Sequence, residues 1–133
     1  MQYSLDTLDQ FLQVLSEMIG DKNIIVLLRG DLASGKTTLV KNYVKYIGLD
    51  DIVTSPTFAL QSIYSDKIYH YDLYNKGLEE FISLGMLEEF EKEGIHFVEW
   101  GEEDLENLLK EYGYDVMVIE IEKKENKREY KIA

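Results

Sequence analysis

The sequence predicts an α/β domain on a mixed, largely parallel central sheet, flanked by helices and extended by antiparallel hairpins. Three observations carry that expectation. Residues 24–28 are apolar on both faces, as in a strand buried within a parallel sheet. They run through a glycine-rich loop into a helical pattern over 36–47, where Leu39, Val40, Tyr43, Val44 and Ile47 recur on one face before Gly48. Short β-patterned segments joined by polar turns supply the antiparallel part. A chain of 133 residues suffices for one core, so 1–133 is expected to form a single domain.

The remaining elements follow in order. Leu8, Phe11, Leu12, Leu15, Met18 and Ile19 recur at helical spacing behind Thr7-Leu8-Asp9-Gln10, which has the form of a capping box, and Gly20 is a natural stop. The only proline, Pro56, holds Ser55 out of helical geometry. Residues 58–64 and 67–73 read as strands joined at Ser65-Asp66. In the second, Ile68, His70 and Asp72 share one face, and Tyr69, Tyr71 and Leu73 the other. Residues 77–93 read as mostly helical and glutamate-rich, 95–99 as a strand ending at Trp100, and 102–111 as a helix stopped by Gly113. Residues 116–122 and 128–132 suggest a closing hairpin.

Charge narrows the function. The chain has 26 acidic and 14 basic residues, a net −12, and its only arginines are Arg29 and Arg128. Nucleic-acid binding rests largely on neutralising phosphates, so direct, autonomous binding of RNA or DNA is not expected. The basic cluster Lys123-Lys124 with Lys127-Arg128 reads as a solvated hairpin turn. Cysteine is absent, which excludes disulfides, thiolate catalysis and Cys-ligated metals. Residues 1–10 are polar and acidic, unlike a secretory signal, and 24–28 is far too short to cross a bilayer. A cytoplasmic protein is the expectation.

Gly30-Asp31-Leu32-Ala33-Ser34-Gly35-Lys36-Thr37 matches G-x-x-x-x-G-K-[ST] in full, after an apolar strand and opening a helix, as the phosphate loop (P-loop, Walker A) requires. Glycines let the backbone N–H groups turn inward around a phosphate, and the helix N-terminus adds its positive dipole end. Asp31, Leu32, Ala33, Ser34, Gly35, Lys36, Thr37 and Thr38 are therefore the expected nucleotide-binding residues. Lys36 is expected to reach the β and γ phosphates and the Thr37 hydroxyl to ligate magnesium, so ATP and Mg2+ are the expected ligands.

Magnesium in such a site needs a carboxylate at the carboxyl end of a neighbouring strand. Glu99 follows the better buried-strand pattern and is taken as the metal ligand, against the reading of a surface strand-end glutamate. For Asp72 two readings stand: a second acid reaching magnesium through water, or a strand-to-loop cap. Thr54-Ser55-Pro56-Thr57 lies where P-loop proteins often place a γ-phosphate sensor, or else forms a turn with local hydrogen bonds. His70 and His96 lack a second ligand at metal spacing and read as packed or surface residues. Tyr64, Tyr69, Tyr71 and Tyr74 suit sheet-face packing better than base stacking, and Trp100 is either core or a lid over the nucleotide.

Gly30-Asp31-Leu32 through Gly35-Lys36-Thr37-Thr38, Thr54-Ser55-Pro56-Thr57-Phe58, His70-Tyr71-Asp72-Leu73-Tyr74 and Glu99-Trp100, in this order and spacing, resemble the TsaE family. Its members are small bacterial ATPases of tRNA threonylcarbamoyladenosine biosynthesis. The resemblance implies an ATPase with Lys36, Thr37 and Glu99 as catalytic residues and with Thr37 and Glu99 on magnesium. It also implies a switch at 54–58 that brings Thr57 to the nucleotide beside Asp72 and Trp100, and residues near Ser4 to Thr7 approaching the adenine. The implied partners are TsaD-like and TsaB-like proteins, TsaD carrying the threonylcarbamoyl transfer to tRNA and ATP turnover resetting the complex. Ala33-Ser34 replaces the family's usual Gly-Ala, Asn75 its arginine after Asp-Leu-Tyr, and Gly101 a common proline after Glu-Trp.

Two rival classes remain. A small-molecule or nucleotide kinase shares the loop but ordinarily uses several arginines to hold the transferring group, and only Arg29 abuts the loop in sequence. A nucleotide-gated interaction module with little turnover needs no water-activating base.

Overall fold

The computed structural model describes residues 3–5, 7–31, 35–53, 61–74, 77–125 and 127–133, for 3–5 and 127 the backbone alone. Its elements are β1 (Tyr3–Leu5), α1 (Leu8–Ile19), β2 (Ile24–Arg29), α2 (Lys36–Tyr46), β3 (Gln61–Tyr64), β4 (Ile68–Asp72), α3 (Gly77–Ser83), a 3-10 helix (Met86–Glu91), β5 (Ile95–Glu99), α4 (Glu103–Glu111), β6 (Val116–Lys124) and β7 (Lys127–Ile132). They form a seven-stranded sheet in the order β1-β7-β6-β2-β5-β4-β3. The four central strands are mutually parallel, and β1, β7 and β3 join through antiparallel pairings. The expected mixed, largely parallel α/β fold is what forms.

Strand β2 explains the unbroken apolar run. It is paired with parallel neighbours on both edges and covered on both faces. Ile24, Val26 and Leu28 face α1 and α2 with Phe11, Leu15, Leu39 and Val40. Ile25 and Leu27 face the opposite layer, with Phe81, Phe90, Leu105 and Leu109. The alternation in β4 also holds: Ile68 packs on the α1/α2 side, and Tyr69, Tyr71 and Leu73 on the other. Its turn to β3, residues 65–67, places Ser65 and Asp66 at φ +50° and +54°, both in the left-handed region, and closes with the Lys67 N–H on the Tyr64 carbonyl.

Several local readings differ. β1 went unrecognised because three residues carry too little pattern, and its place comes from the edge of β7. The 77–93 segment is broken by Leu84-Gly85, with Gly85 at φ +76°, into α3 and the 3-10 helix. Thr7 stands at the N-cap of α1, yet its hydroxyl makes no capping bond, and Gly20 ends the helix as expected. Residues 58–60 of the expected first hairpin strand lie outside the described residues. Among the described residues no helix is long and apolar enough to cross a membrane.

The carboxyl ends of β2, β4 and β5 lie side by side, with Asp72 paired to Glu99 and Leu28 to Glu99 across the two ladders. Their register starts at Gly94, at φ +134°, where an added β-carbon would collide with the Lys67 carbonyl oxygen that receives the Ile95 N–H. Gly94→Ala is therefore expected to destabilise the protein by at least ~2 kcal/mol. Gly113→Ala, at a similarly left-handed position with open space around it, should cost only about 1 kcal/mol. Urea unfolding of the two variants checks the difference.

Candidate functional site

The loop leaves β2 at Gly30 and enters α2 at Gly35, whose φ of +105° is a conformation that a side chain resists. Gly30, Asp31 and Gly35 are described, whereas Leu32, Ala33 and Ser34 lie outside the described residues. Lys36 opens α2 and is buried, with 3% of its surface exposed. Its ammonium curls back over the loop, donating to the carbonyls of Gly30 at 2.6 Å and Asp31 at 2.8 Å. It also sits 4.1 Å from the centre of the Trp100 ring. Burial pulls its pKa below the ordinary lysine value, and the charges of Glu99, Asp31, Asp72 and Glu102 oppose that shift.

Glu99 ends β5 on the face turned toward α2 and is 4% exposed, which rules out the surface-glutamate reading. A buried carboxylate needs partners. The Thr37 hydroxyl donates to its Oε2 at 2.7 Å. His70, fully buried on β4, gives the same oxygen its Nε2–H at 2.5 Å. The other ring nitrogen, Nδ1, accepts from the Tyr64 hydroxyl at 3.0 Å. The partners assign the tautomer: the carboxylate only accepts, so Nε2 carries the proton. Tyr64, His70, Glu99 and Thr37 form one hydrogen-bonded chain from β3 through β4 and β5 to the first turn of α2.

Asp72 is half-buried at the end of β4, and its Oδ1 accepts the Tyr74 N–H at 2.9 Å. That is the strand-to-loop cap, and the same carboxylate acts electrostatically on Lys36. Trp100 is half-buried, its backbone at φ +64° and its ring 4.9 Å from that of Tyr74. Thr38 is half-buried on the first turn of α2. Thr57, with residues 54–58, and Asn75 lie outside the described residues, as do the side chains of Ser4 and Leu5.

Sequence reasoning missed two residues here. His70 was read as packed or surface, and the structure joins it to Glu99. The available signal was alternation, which puts His70 on the Asp72 face, next to the strand that ends in Glu99. Arg128, read as part of a solvated turn, lies half-buried over the loop: a β-carbon on Gly35 would stand 2.8 Å from its guanidinium carbon. Arg29, the arginine that abuts the loop in sequence, turns away from it. It donates to Glu106 at 2.8 Å and to the Gly101 carbonyl at 3.1 Å. His96 is a packing residue, its Nε2–H on the Lys92 carbonyl and its ring stacked on Tyr69, with burial lowering its pKa.

The donor set suits a hard divalent cation. A hydroxyl and a carboxylate oxygen converge at the mouth of the loop, and among the described residues no cluster of three or more His, Asp or Glu encloses a metal. Magnesium takes few protein ligands and completes its shell with water and phosphate oxygens, which fits.

A family model described as threonylcarbamoyl adenosine biosynthesis protein TsaE matches residues 3–130. Curated relatives described as tRNA threonylcarbamoyladenosine biosynthesis protein TsaE include one of Treponema pallidum, 38% identical over 85 residues, covering 62% of this chain and 63% of the relative. One of Haemophilus influenzae is 37% identical over 97 residues, covering 70% and 61%. One of Bacillus subtilis is 35% identical over 102 residues, covering 68% and 64%. The chain thus spans less than two thirds of each of these relatives. The crystal structure of YdiB from Bacillus subtilis superposes with a TM-score of 0.63 at 23% identity, over 99% of this chain and 83% of that one, a likeness of fold.

The buried chain around Glu99 is testable without a ligand. His70→Phe removes the acceptor that His70 offers the Tyr64 hydroxyl and a donor from a buried carboxylate, and should cost roughly 2–4 kcal/mol of stability. Tyr64→Phe removes one neutral bond and should cost about 1 kcal/mol. Urea titrations at neutral pH read both.

Proposed function

The chain belongs to the TsaE family, and on that premise we propose that it binds and hydrolyses ATP with magnesium in tRNA threonylcarbamoyladenosine biosynthesis. In this reading residues 1–133 act as one P-loop ATPase domain. The observation that carries it is the convergence of a buried ammonium, a hydroxyl and a buried carboxylate where β2 passes through its glycines into α2.

Lys36 exchanges the Gly30 and Asp31 carbonyls for β- and γ-phosphate oxygens. The loop N–H groups of residues 31–38 and the α2 N-terminus cradle the phosphates. Thr37 and Glu99 would hold magnesium, which would supply positive charge against the phosphate oxygens. His70 would steady the Glu99 carboxylate for the cation, since its N–H engages Oε2, which also accepts from Thr37, and leaves Oε1 to face the metal. Asp72 adds negative charge beside the cation, Trp100 flanks the phosphates, and Thr57 on the 54–58 switch senses the γ phosphate.

Arg29 bears on the kinase alternative. Its guanidinium is bound to Glu106 and Gly101, so the arginine nearest the loop in sequence is not available to a transferring phosphoryl group. TsaD-like and TsaB-like proteins are the partners in this reading, and the acidic chain reaches tRNA through them. A net charge of −12 repels phosphates, most strongly at low salt.

Two experiments test the proposal. Lys36→Ala should lower ATP affinity at least tenfold, and Glu99→Gln should blunt the magnesium dependence of ATP binding; calorimetry with wild-type values for both would reject the site. The isolated protein should retain no tRNA on a filter at physiological salt, and its slow ATP turnover should rise when a TsaD–TsaB complex is added. Tight tRNA binding, or turnover indifferent to that complex, would remove the partner reading.

A further inference from the structure

The turn that carries Trp100 is strained and held at both ends. Trp100 follows the last residue of β5 at φ +64°, a left-handed conformation that a bulky residue rarely adopts. The next residue is Gly101, and a glycine backbone is free enough to let such a turn relax. The strain persists because the peptide groups on either side are fixed. The Glu99 carbonyl accepts the Leu73 N–H at 3.1 Å. The Gly101 carbonyl accepts the Arg29 Nε–H, also at 3.1 Å. Gly101 itself is buried, and an added β-carbon would stand 2.9 Å from Leu27 Cδ2 and 3.1 Å from Val98 Cγ1. Backbone strain that its surroundings over-determine clusters at working sites.

Arg29 is built into this turn. It ends β2, one step past the Leu28–Glu99 pair of the parallel ladder, and follows Ile25 and Leu27 on the face that meets α4. Its guanidinium spans two acceptors, with Nε on the Gly101 carbonyl and Nη2 on Glu106 of α4 at 2.8 Å. A planar fork with fixed donor directions can hold both at once. At the other end of the turn stands the indole. Its ring centre lies 4.1 Å from the Lys36 ammonium and 4.9 Å from the Tyr74 ring.

We propose that Arg29 is a positioning residue of the candidate site: through the Gly101 carbonyl it holds the Trp100 turn, and the turn holds the indole against the Lys36 ammonium. Arg29 faces away from the loop and needs no contact with a phosphate. It denies Gly101 the rotation that would let Trp100 leave the left-handed region and swing its ring off the lysine. The ring in turn confines the ammonium to the mouth of the loop, so an anion meets a cation already in place. The geometric claim concerns the free protein, and its consequence for nucleotide affinity rests on the ATP-binding reading.

Two measurements test it, with melting of each protein alongside. The first is NMR of nucleotide-free protein carrying isotope-labelled lysine. In wild type the Lys36 Cε protons should lie upfield of their position in Trp100→Leu, because the indole ring current shields protons above its face. Arg29→Gln, too short to span both acceptors, should lose most of that upfield shift, and Arg29→Lys should lose part of it. The second is calorimetry with Mg-ATP. Arg29→Gln should weaken binding about threefold to tenfold, the effect of having to order a freed lysine. In the Trp100→Leu background it should change nothing further. An unchanged Lys36 shift in Arg29→Gln overturns the inference however far the melting temperature falls, since Arg29 is then a tether of α4 alone. An equal loss of affinity in the Trp100→Leu background also overturns it, because Arg29 then acts by another route. If Arg29→Gln does not fold, both readings are made on Arg29→Lys. Wild-type protein that fails to bind Mg-ATP removes the ATP-binding reading, and the Lys36 shift still decides the role of Arg29.

Discussion

A buried carboxylate governs the arrangement of the site. Placing Glu99 at 4% exposure carries a desolvation cost that only well-directed donors offset, and those donors come from separate elements. Thr37 is supplied by α2 and His70 by β4, with Tyr64 of β3 behind the histidine. Each fixes a different degree of freedom: β4 against β5, α2 against the end of the sheet, and the outer hairpin against β4. The placement of Thr37 against Glu99 at the mouth of the glycine-rich loop therefore derives partly from strands far from it in sequence. A one-residue slip of β4 would turn His70 to the opposite face and leave Glu99 without its main donor.

The fold was legible where pattern was long. β2 and α1 announced themselves through an unbroken apolar run and a helical stripe, and the G-x-x-x-x-G-K-[ST] loop fixed the join between β2 and α2. The parallel centre followed. β1 was not legible, because three residues pair only where β7 offers an open edge. Of the site, Lys36, Thr37 and Glu99 were legible by type and spacing, and the structure brings the latter two within hydrogen-bond reach. His70 and Arg128 were not, since each gains its meaning from a neighbour more than 25 residues away: a histidine needs its carboxylate, and a hairpin arginine needs the loop it overhangs.

Charge is distributed to match. Nine of the 26 acids lie along α3, the 3-10 helix and α4, whereas Lys36 and Arg128 stand at the glycine-rich loop. Arg29 joins β2 to α4 through Glu106 and the Gly101 carbonyl, a structural duty that removes it from the loop. Lys36 is satisfied by carbonyls and an aromatic face, and among the described residues no carboxylate is ion-paired with it.

That aromatic face belongs to the chain's single tryptophan. An ammonium 4.1 Å from the centre of an indole perturbs its excited state, and withdrawal of the ammonium relieves the perturbation. The protein accordingly carries a built-in optical probe. Its indole emission comes from one residue, half-buried at the mouth of the loop, and follows the position of one lysine. The geometry makes the movement of Lys36 visible in a cuvette, in unlabelled protein and on the timescale of mixing.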